Sequence, residues 1–315
     1  MAAEKREMSK RFTLELAIFY KEHYDNCSNC GNPFVDRDTQ NLGFDGSENC
    51  LNVCNKCEPL LSEVVYRYSH VPRLYTVPEQ NDSLWRYMDF AKFVSLLKNR
   101  ALYFSAAKLF KDPFEGAKGV KAREKEWDEN LLSNFEKVTE DSTSSKEHLF
   151  TKSILAAFKS FGKQSRECTF INCWHLSEYE SEAMWSLYVK DRSYAIAIRT
   201  TYDRLYNAIG KNPLIDIGRV NYIDYAETFV EIRAPFWYKR KSFQHESEVR
   251  AILADYDKKD IDGLYVEIDL EMLLQAVYIS PSSPDWVSNL VADICGRYNV
   301  SPSIKKSAMT TQPFY

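Results

Sequence analysis

Glycine is scarce, with 10 residues in a chain of 315. Glycine-rich phosphate cradles need several at fixed offsets, and neither a G-x-x-x-x-G-K-[ST] loop nor a G-x-G-x-x-G turn occurs. That excludes P-loop and Rossmann-type nucleotide binding. No G-x-S-x-G elbow is present, which removes a serine nucleophile of the α/β-hydrolase kind. Histidine is equally sparse, at five, and no H-E-x-x-H pair occurs. His245-Glu246 is followed by Ser247-Glu248, with no second histidine one helical turn on. A multi-histidine metal centre therefore lacks its ligands. No segment approaches the roughly 18 uninterrupted apolar residues that mark a membrane span. Met1 to Arg11 is charged and has no apolar run before a cleavage site, so the expected setting is the reducing cytoplasm.

The composition is that of a folded globular protein. Lys plus Arg number 41 against 45 Asp plus Glu, a net charge of −4, and hydrophobic residues make up 44%. Mild acidity argues against wholesale electrostatic capture of nucleic acid and leaves room for a local basic patch. The 20 Tyr, 18 Phe and 6 Trp suit a large core with aromatic-lined clefts. At roughly 150 residues per domain, the length predicts about two domains.

Five of the eight cysteines fall between Cys27 and Cys57. Cys27-Ser28-Asn29-Cys30-Gly31 and Cys54-Asn55-Lys56-Cys57 form two C-x-x-C knuckles, the spacing of a four-cysteine zinc site. A two-residue gap lets a tight turn aim two thiolates at one ion, and Gly31 permits the left-handed backbone that follows. Cys27, Cys30, Cys54 and Cys57 are the expected ligands, with Cys50 as an alternative to Cys54. Such a closed site is structural. Phe12, Leu16, Phe19 and Tyr20 recur at helical spacing and predict a helix within 1–26. The prediction is an N-terminal zinc module and connector over 1–80, then a main domain over 81–315.

In the main domain, Leu84–Tyr87 reads as a strand, and Phe90, Phe93, Leu96 and Leu97 predict a helix capped by Asp89. Ala101–Ser105 reads as a strand ending in a hydroxyl, and Lys111–Gly116 as a turn. The charged stretch 118–150 predicts a solvated helix and a polar loop at Asp141–Lys146. Ser177 and Glu180 fit a capping box for a helix carrying Met184, Trp185 and Tyr188. Further strands are predicted at Phe170–Trp174, Tyr194–Ile198, Val220–Ile223, Glu248–Leu253, Leu264–Ile268 and Ala276–Ile279, with a closing helix at Trp286–Tyr298. Strands and helices do not alternate strictly, which points to an α+β fold.

The chemistry concentrates in Lys239–Arg250, where Glu246 and Glu248 stand two apart as a strand begins. On a strand they share a face, and neighbouring like charges suit acid/base and hydrogen-bonding roles. The alternative is a solvated strand edge flanked by basic residues. Cys173 and His175 are a weaker pair: they share a strand face but lack a third residue to orient them.

Four blocks resemble the bacterial domain-of-unknown-function family 2971. They are Leu84-Trp85-Arg86-Tyr87; Leu102-Tyr103-Phe104-Ser105 with Asp112-Pro113-Phe114-Glu115-Gly116; Ala183-Met184-Trp185-Ser186-Leu187-Tyr188; and Glu246-x-Glu248-x-Arg250. More distantly, Arg86, Ser105 and Glu246-Ser247-Glu248 follow the order and context of the Arg–Ser–Glu type of ADP-ribosyltransferase. Where that family often reads Ser-Thr-Ser, this chain has Ser105-Ala106-Ala107, so one hydroxyl carries over.

The resemblance implies a split β-sandwich that grips NAD as substrate without a Rossmann turn. It implies that Arg86 clamps a phosphate, Glu248 holds a ribose hydroxyl, Ser105 orients Glu248, and Glu246 positions or deprotonates an acceptor. Tyr87 or Tyr103 would stack on the nicotinamide, or else be core. It further implies an intracellular macromolecular acceptor (RNA, DNA or protein), a toxin or anti-phage defence role and a neutralising partner. Two rival readings are a non-enzymatic zinc-module sensor with Lys239, Arg240 and Lys241 as contacts, and a nucleotide hydrolase using Glu246 and Glu248.

Overall fold

A computed structural model describes residues 32–33, 40–44 and 50–54, then 75–315 apart from 137–158, 161, 190, 211, 213 and 231–233. The helix expected within 1–26, the ligands Cys27, Cys30 and Cys57, and the loop at Asp141–Lys146 lie outside the described residues. Strands β1 (Gln40–Phe44) and β2 (Cys50–Val53) pair antiparallel, and Cys54 follows β2 as a buried residue.

The main sheet has nine strands: β3 (Ser83–Asp89), β4 (Ala101–Ala106), β5 (Thr169–Leu176), β6 (Ala195–Thr201), β7 (Ile215–Arg219), β10 (Glu248–Ala254), β11 (Gly263–Glu267), β12 (Ala276–Ile279) and β13 (Ser303–Lys306). Short strands β8 (Asn221–Ile223) and β9 (Tyr238–Arg240) pair beside it. Within the large sheet only β12 with β13 is parallel. A mostly antiparallel sheet with helices packed on it agrees with the α+β expectation.

Among the described residues are the helices α1 (Phe90–Asn99), α2 (Glu124–Glu136), α3 (Glu182–Tyr188), α4 (Tyr202–Ala208), α5 (Leu270–Leu273) and α6 (Trp286–Arg297), and residues 162–168 are also helical. In α1, Phe93, Leu96 and Leu97 repeat at helical spacing and are buried. The helix stops at Arg100, whose left-handed φ of 47° lets its N–H turn back to the Leu97 carbonyl.

Alternation divides the sheet into two faces. Leu84, Met88, Phe104, Trp174, Ile198 and Val249 point to the main core, which α1, α5 and α6 cover. Trp85 and Tyr87 point the other way and pack with Met184 and Trp185 of α3.

The organising feature is a fork at β5. One edge of β5 pairs with β10 from His175↔Glu248 to Thr169↔Ala254. The other edge is shared. β3 pairs only at Leu84↔Leu176 and Trp85↔His175, and β4 only at Ser105↔Ile171 and Ala106↔Phe170. Between them, side chains replace the missing ladder. Asn172 donates to the Tyr103 carbonyl at 2.8 Å, and Arg86 Nη1 donates to the Cys173 carbonyl at 2.8 Å. The arm β3-β6-β12-β13 therefore diverges from the arm β4-β11.

Several expectations need correcting. Helix α3 is capped by Ser181, whose Oγ accepts from Met184 N, and not by Ser177. The Glu180 that completes the sequence pattern accepts instead from Trp185 Nε1 at 3.1 Å and Ala308 N at 2.6 Å. A helix side chain and a backbone N–H from far along the chain outbid the local box. Strands β7, β9 and β13 were not anticipated, and Tyr194 lies in a 3-10 turn before β6. Tyr75 and Thr76, assigned to the connector, pack on the main sheet: Tyr75 stacks on Trp237 at 4.3 Å, and Thr76 bridges to Arg219.

Candidate active site

A cavity of about 1230 Å³ opens at the fork. The six residues to which the transferase resemblance gives roles line it: Arg86, Tyr87, Tyr103, Ser105, Glu246 and Glu248. Pairing partners share a face, so Trp85, His175 and Glu248 lie on one side of the sheet, and Ser105 joins them through Ile171. Arg86, next to Trp85, leaves the opposite side. It reaches the same cavity because β3 and β4 diverge there.

Glu246 and Glu248 do not share a strand face as the sequence implied. Glu246 ends a 3-10 turn spanning Lys241–Glu246, and Glu248 opens β10. Ser247 between them has φ 38° in the left-handed region, which breaks the strand alternation, and a cation bridges the two carboxylates. That cation is Lys239 on β9. It pairs with the Glu246 carboxylate and with Glu248 Oε2 at 3.1 Å, and all three residues are buried.

Deeper in, Arg250 is fully buried. Its Nε donates to Glu248 Oε1 at 2.8 Å, and its Nη2 donates to Glu248 Oε2 at 3.1 Å and to Glu115 Oε2 at 2.9 Å. A chain of alternating charge results: Glu115, Arg250, Glu248, Lys239, Glu246. Burial pushes the Glu248 carboxyl up, but Arg250 and Lys239 pull it further down, to about 2. Glu248 is thus a fixed anion, not an acid. Burial pulls Lys239 down, yet Glu248 and Glu246 hold it above the ordinary lysine value.

Arg86 is different. It is partly buried, donates from Nη1 to the Cys173 carbonyl, and lies over the face of Trp174, 5.8 Å from the ring centroid. Among the described residues no carboxylate pairs with it. Burial pulls its pKa below the ordinary arginine value. A guanidinium withdrawn from water without a counter-ion is costly, and an anionic ligand in the cavity would offset that cost.

The remaining lining residues divide by use. Tyr87 is buried, its hydroxyl accepts from Ser181 N at 2.8 Å, and its ring meets Trp185 edge-on at 4.9 Å, which makes it core. Tyr103 is 39% exposed and packs edge-on against Tyr265 at 5.2 Å. Its ring lies over Gly263, where a Cβ would strike it. Cys173 is no thiolate nucleophile: burial and Glu248 raise its pKa well above the ordinary value. His175 Nδ1 lies 2.6 Å from the Glu246 carbonyl oxygen.

Lys239 was read from the sequence only as a surface contact, and Glu115 only as part of a family block. Their roles come from pairings across the fold, for which charge spacing along the chain gives no signal. Metal ligation is not visible here: among the described residues no group of three or more His, Cys, Asp or Glu is placed to hold an ion. No described helix is long and apolar enough to cross a membrane.

No family model matches the chain, and no curated protein does. Among solved structures it is similar to Thermus sp. 2.9 DarT in complex with NAD+, at 8% identity and a TM-score of 0.36, covering 75% of this chain and 100% of that one. It is also similar to Thermus sp. 2.9 DarT in complex with ADP-ribosylated ssDNA, at 8% identity and 0.35, covering 75% and 99%. A third similar structure is Thermus sp. 2.9 DarT in complex with carba-NAD+, at 9% identity and 0.33, covering 73% and 96%.

Proposed function

We propose that this chain is an NAD-dependent mono-ADP-ribosyltransferase whose active site is the cavity at the β5 fork. The observation that carries the proposal is Arg86, a partly buried guanidinium without a carboxylate partner among the described residues, on the same cavity as a fixed carboxylate, Glu248. One end of the cavity suits a phosphate and the other suits a developing cation. Arg86 clamps the diphosphate through its planar fork. Breaking the nicotinamide–ribose bond develops positive charge on the ribose ring, as in glycoside cleavage. Glu248, ionised at all ordinary pH, favours that charge over the ground state. Ser105 stands on the Glu248 side of the sheet and orients the ribose end, while Tyr103 offers a stacking face. Glu246, tied to Lys239, positions the acceptor.

The acceptor belongs to the intracellular macromolecules, and a toxin or defence role with a neutralising partner fits such an activity. Cys27, Cys30, Cys54 and Cys57 hold one structural zinc in a module that selects the acceptor. Metal analysis of the full chain is expected to find about one zinc. The rival, a non-enzymatic sensor contacting partners through Lys239, Arg240 and Lys241, is weakened by one observation. Lys239 is buried against Glu246 and Glu248, and Arg240 is held by Asp112 at 2.8 Å, so the three do not form a free basic face. The test is a mass spectrum of cell lysate exposed to the protein with isotope-labelled NAD. Labelled ADP-ribose on a macromolecule is expected; unmodified lysate with intact NAD would contradict the proposal.

A further inference from the structure

His175 is a cavity residue that the roles above leave unused. Its Nδ1 lies 2.6 Å from a carbonyl oxygen, that of Glu246. A carbonyl only accepts, so Nδ1 carries the proton, and in the neutral ring Nε2 is an acceptor. The Glu246 carbonyl thus supplies the orienting group that the sequence around Cys173 and His175 lacks. His175 is also the direct cross-strand partner of Glu248, on the same face of the sheet. His175 therefore stands beside Glu248 on the cavity wall. Glu246 is poorly suited to be a base, because Lys239 occupies its carboxylate and Tyr188 hydrogen-bonds to it.

We propose that His175 is the catalytic base that takes the proton from the acceptor. The assignment rests on the NAD reading above. As the acceptor's O–H or N–H attacks, its lone pair bonds to ribose C1′. The bond from C1′ to the nicotinamide nitrogen breaks, and its electron pair leaves with neutral nicotinamide. The acceptor's proton passes to His175 Nε2, and the imidazolium later returns it to water. Burial keeps the imidazole neutral, below its ordinary pKa of 6.5. The groups around it do not reverse this: Glu246 pulls upward and His245 downward, and Tyr87 presents its ring at 6.4 Å. Glu248 and Cys173 on the same face are respectively paired with Arg250 and protonated.

The experiment uses the full chain with labelled NAD, measuring nicotinamide release to water and label transfer into lysate macromolecules. His175→Asn keeps a donor near the Glu246 carbonyl and removes the base. His175→Gln is the second variant, should the first fail to fold. Transfer is expected to fall about 100-fold with the KM for NAD within about threefold, the size of a lost general base. Nicotinamide release to water falls far less, because departure from a loose ribosyl cation needs no base. The acid limb of the transfer profile, present in the wild type, disappears in the variants. Near-normal transfer in both variants, or an acid limb that persists in them, overturns the assignment. If the wild type releases no nicotinamide, the NAD reading fails first and the base assignment falls with it.

Discussion

Glu115 and Glu248 grip the same guanidinium from two sides: Arg250 Nη2 is 2.9 Å from one carboxylate and 3.1 Å from the other. Glu115 comes from the turn 112–116, which Gly116 closes at φ 72°, where a Cβ would strike the ring of Phe236. Removing Arg250 alone strands two buried anions. Arg250→Met is expected to lower stability by about 3–5 kcal/mol in chemical denaturation. Adding Glu115→Leu removes one stranded charge and recovers a large part of that loss. A double variant no more stable than the single one would show that the pair does not act as a unit.

Acid sensitivity follows from Glu248. Its pKa is about 2 in the folded chain against an ordinary 4.5, so its contribution is complete above 4.5 and is lost as the pH falls toward 2. Wild type is therefore expected to be more stable than Glu248→Gln at neutral pH, and the gap should close between 4.5 and 2. Thermal melts across that range check it. A gap that stays constant with pH would mean that the carboxylate is not held ionised by its neighbours.

Arg86 carries a milder expectation for stability. Among the described residues its charge has no carboxylate partner to lose, so Arg86→Met is expected to cost only the bond to the Cys173 carbonyl, about 1 kcal/mol. Affinity for NAD is expected to fall about 10- to 100-fold, the worth of a charge-assisted hydrogen bond to phosphate. Calorimetric titration and a thermal melt on the same variant separate the two effects. Lost stability with unchanged affinity would make Arg86 a strut of the fork and not a ligand clamp.

Gly263 is expected to be intolerant of a side chain. A Cβ there meets the Phe104 carbonyl and the Tyr103 ring. Gly263→Ala should cost about 1–3 kcal/mol by overpacking and displace Tyr103 from the cavity wall. A weaker NAD complex in this variant, matched by Tyr103→Ala, would confirm the stacking role. Loss in Gly263→Ala with normal binding in Tyr103→Ala would refute it.

The residues singled out from the sequence line one cavity, but their geometry was not legible in it. Ser105 stands near the end of β4 and the Glu246-x-Glu248 pair at the start of β10, which is a local signal, whereas Arg86 lies in the middle of β3. Strand β12 came out as read, because Ala276–Ile279 is a short apolar run. The fork was hidden, because it depends on β5 sharing one edge between β3 and β4, a register that no single segment carries. The left-handed Ser247 was hidden as well, since a serine gives no warning of positive φ. Ser177 and Glu180 matched a capping pattern, but Trp185 on the adjoining helix and Ala308 from across the fold claimed the glutamate.

The most direct measurement is nicotinamide release from NAD by the purified full chain with lysate as acceptor, in wild type and in Glu248→Gln. The account predicts steady release by the wild type and a loss of about 100-fold or more in kcat for the variant, with NAD affinity within a few-fold. Equal release by both proteins would contradict it, and so would a wild type that leaves NAD intact and unbound.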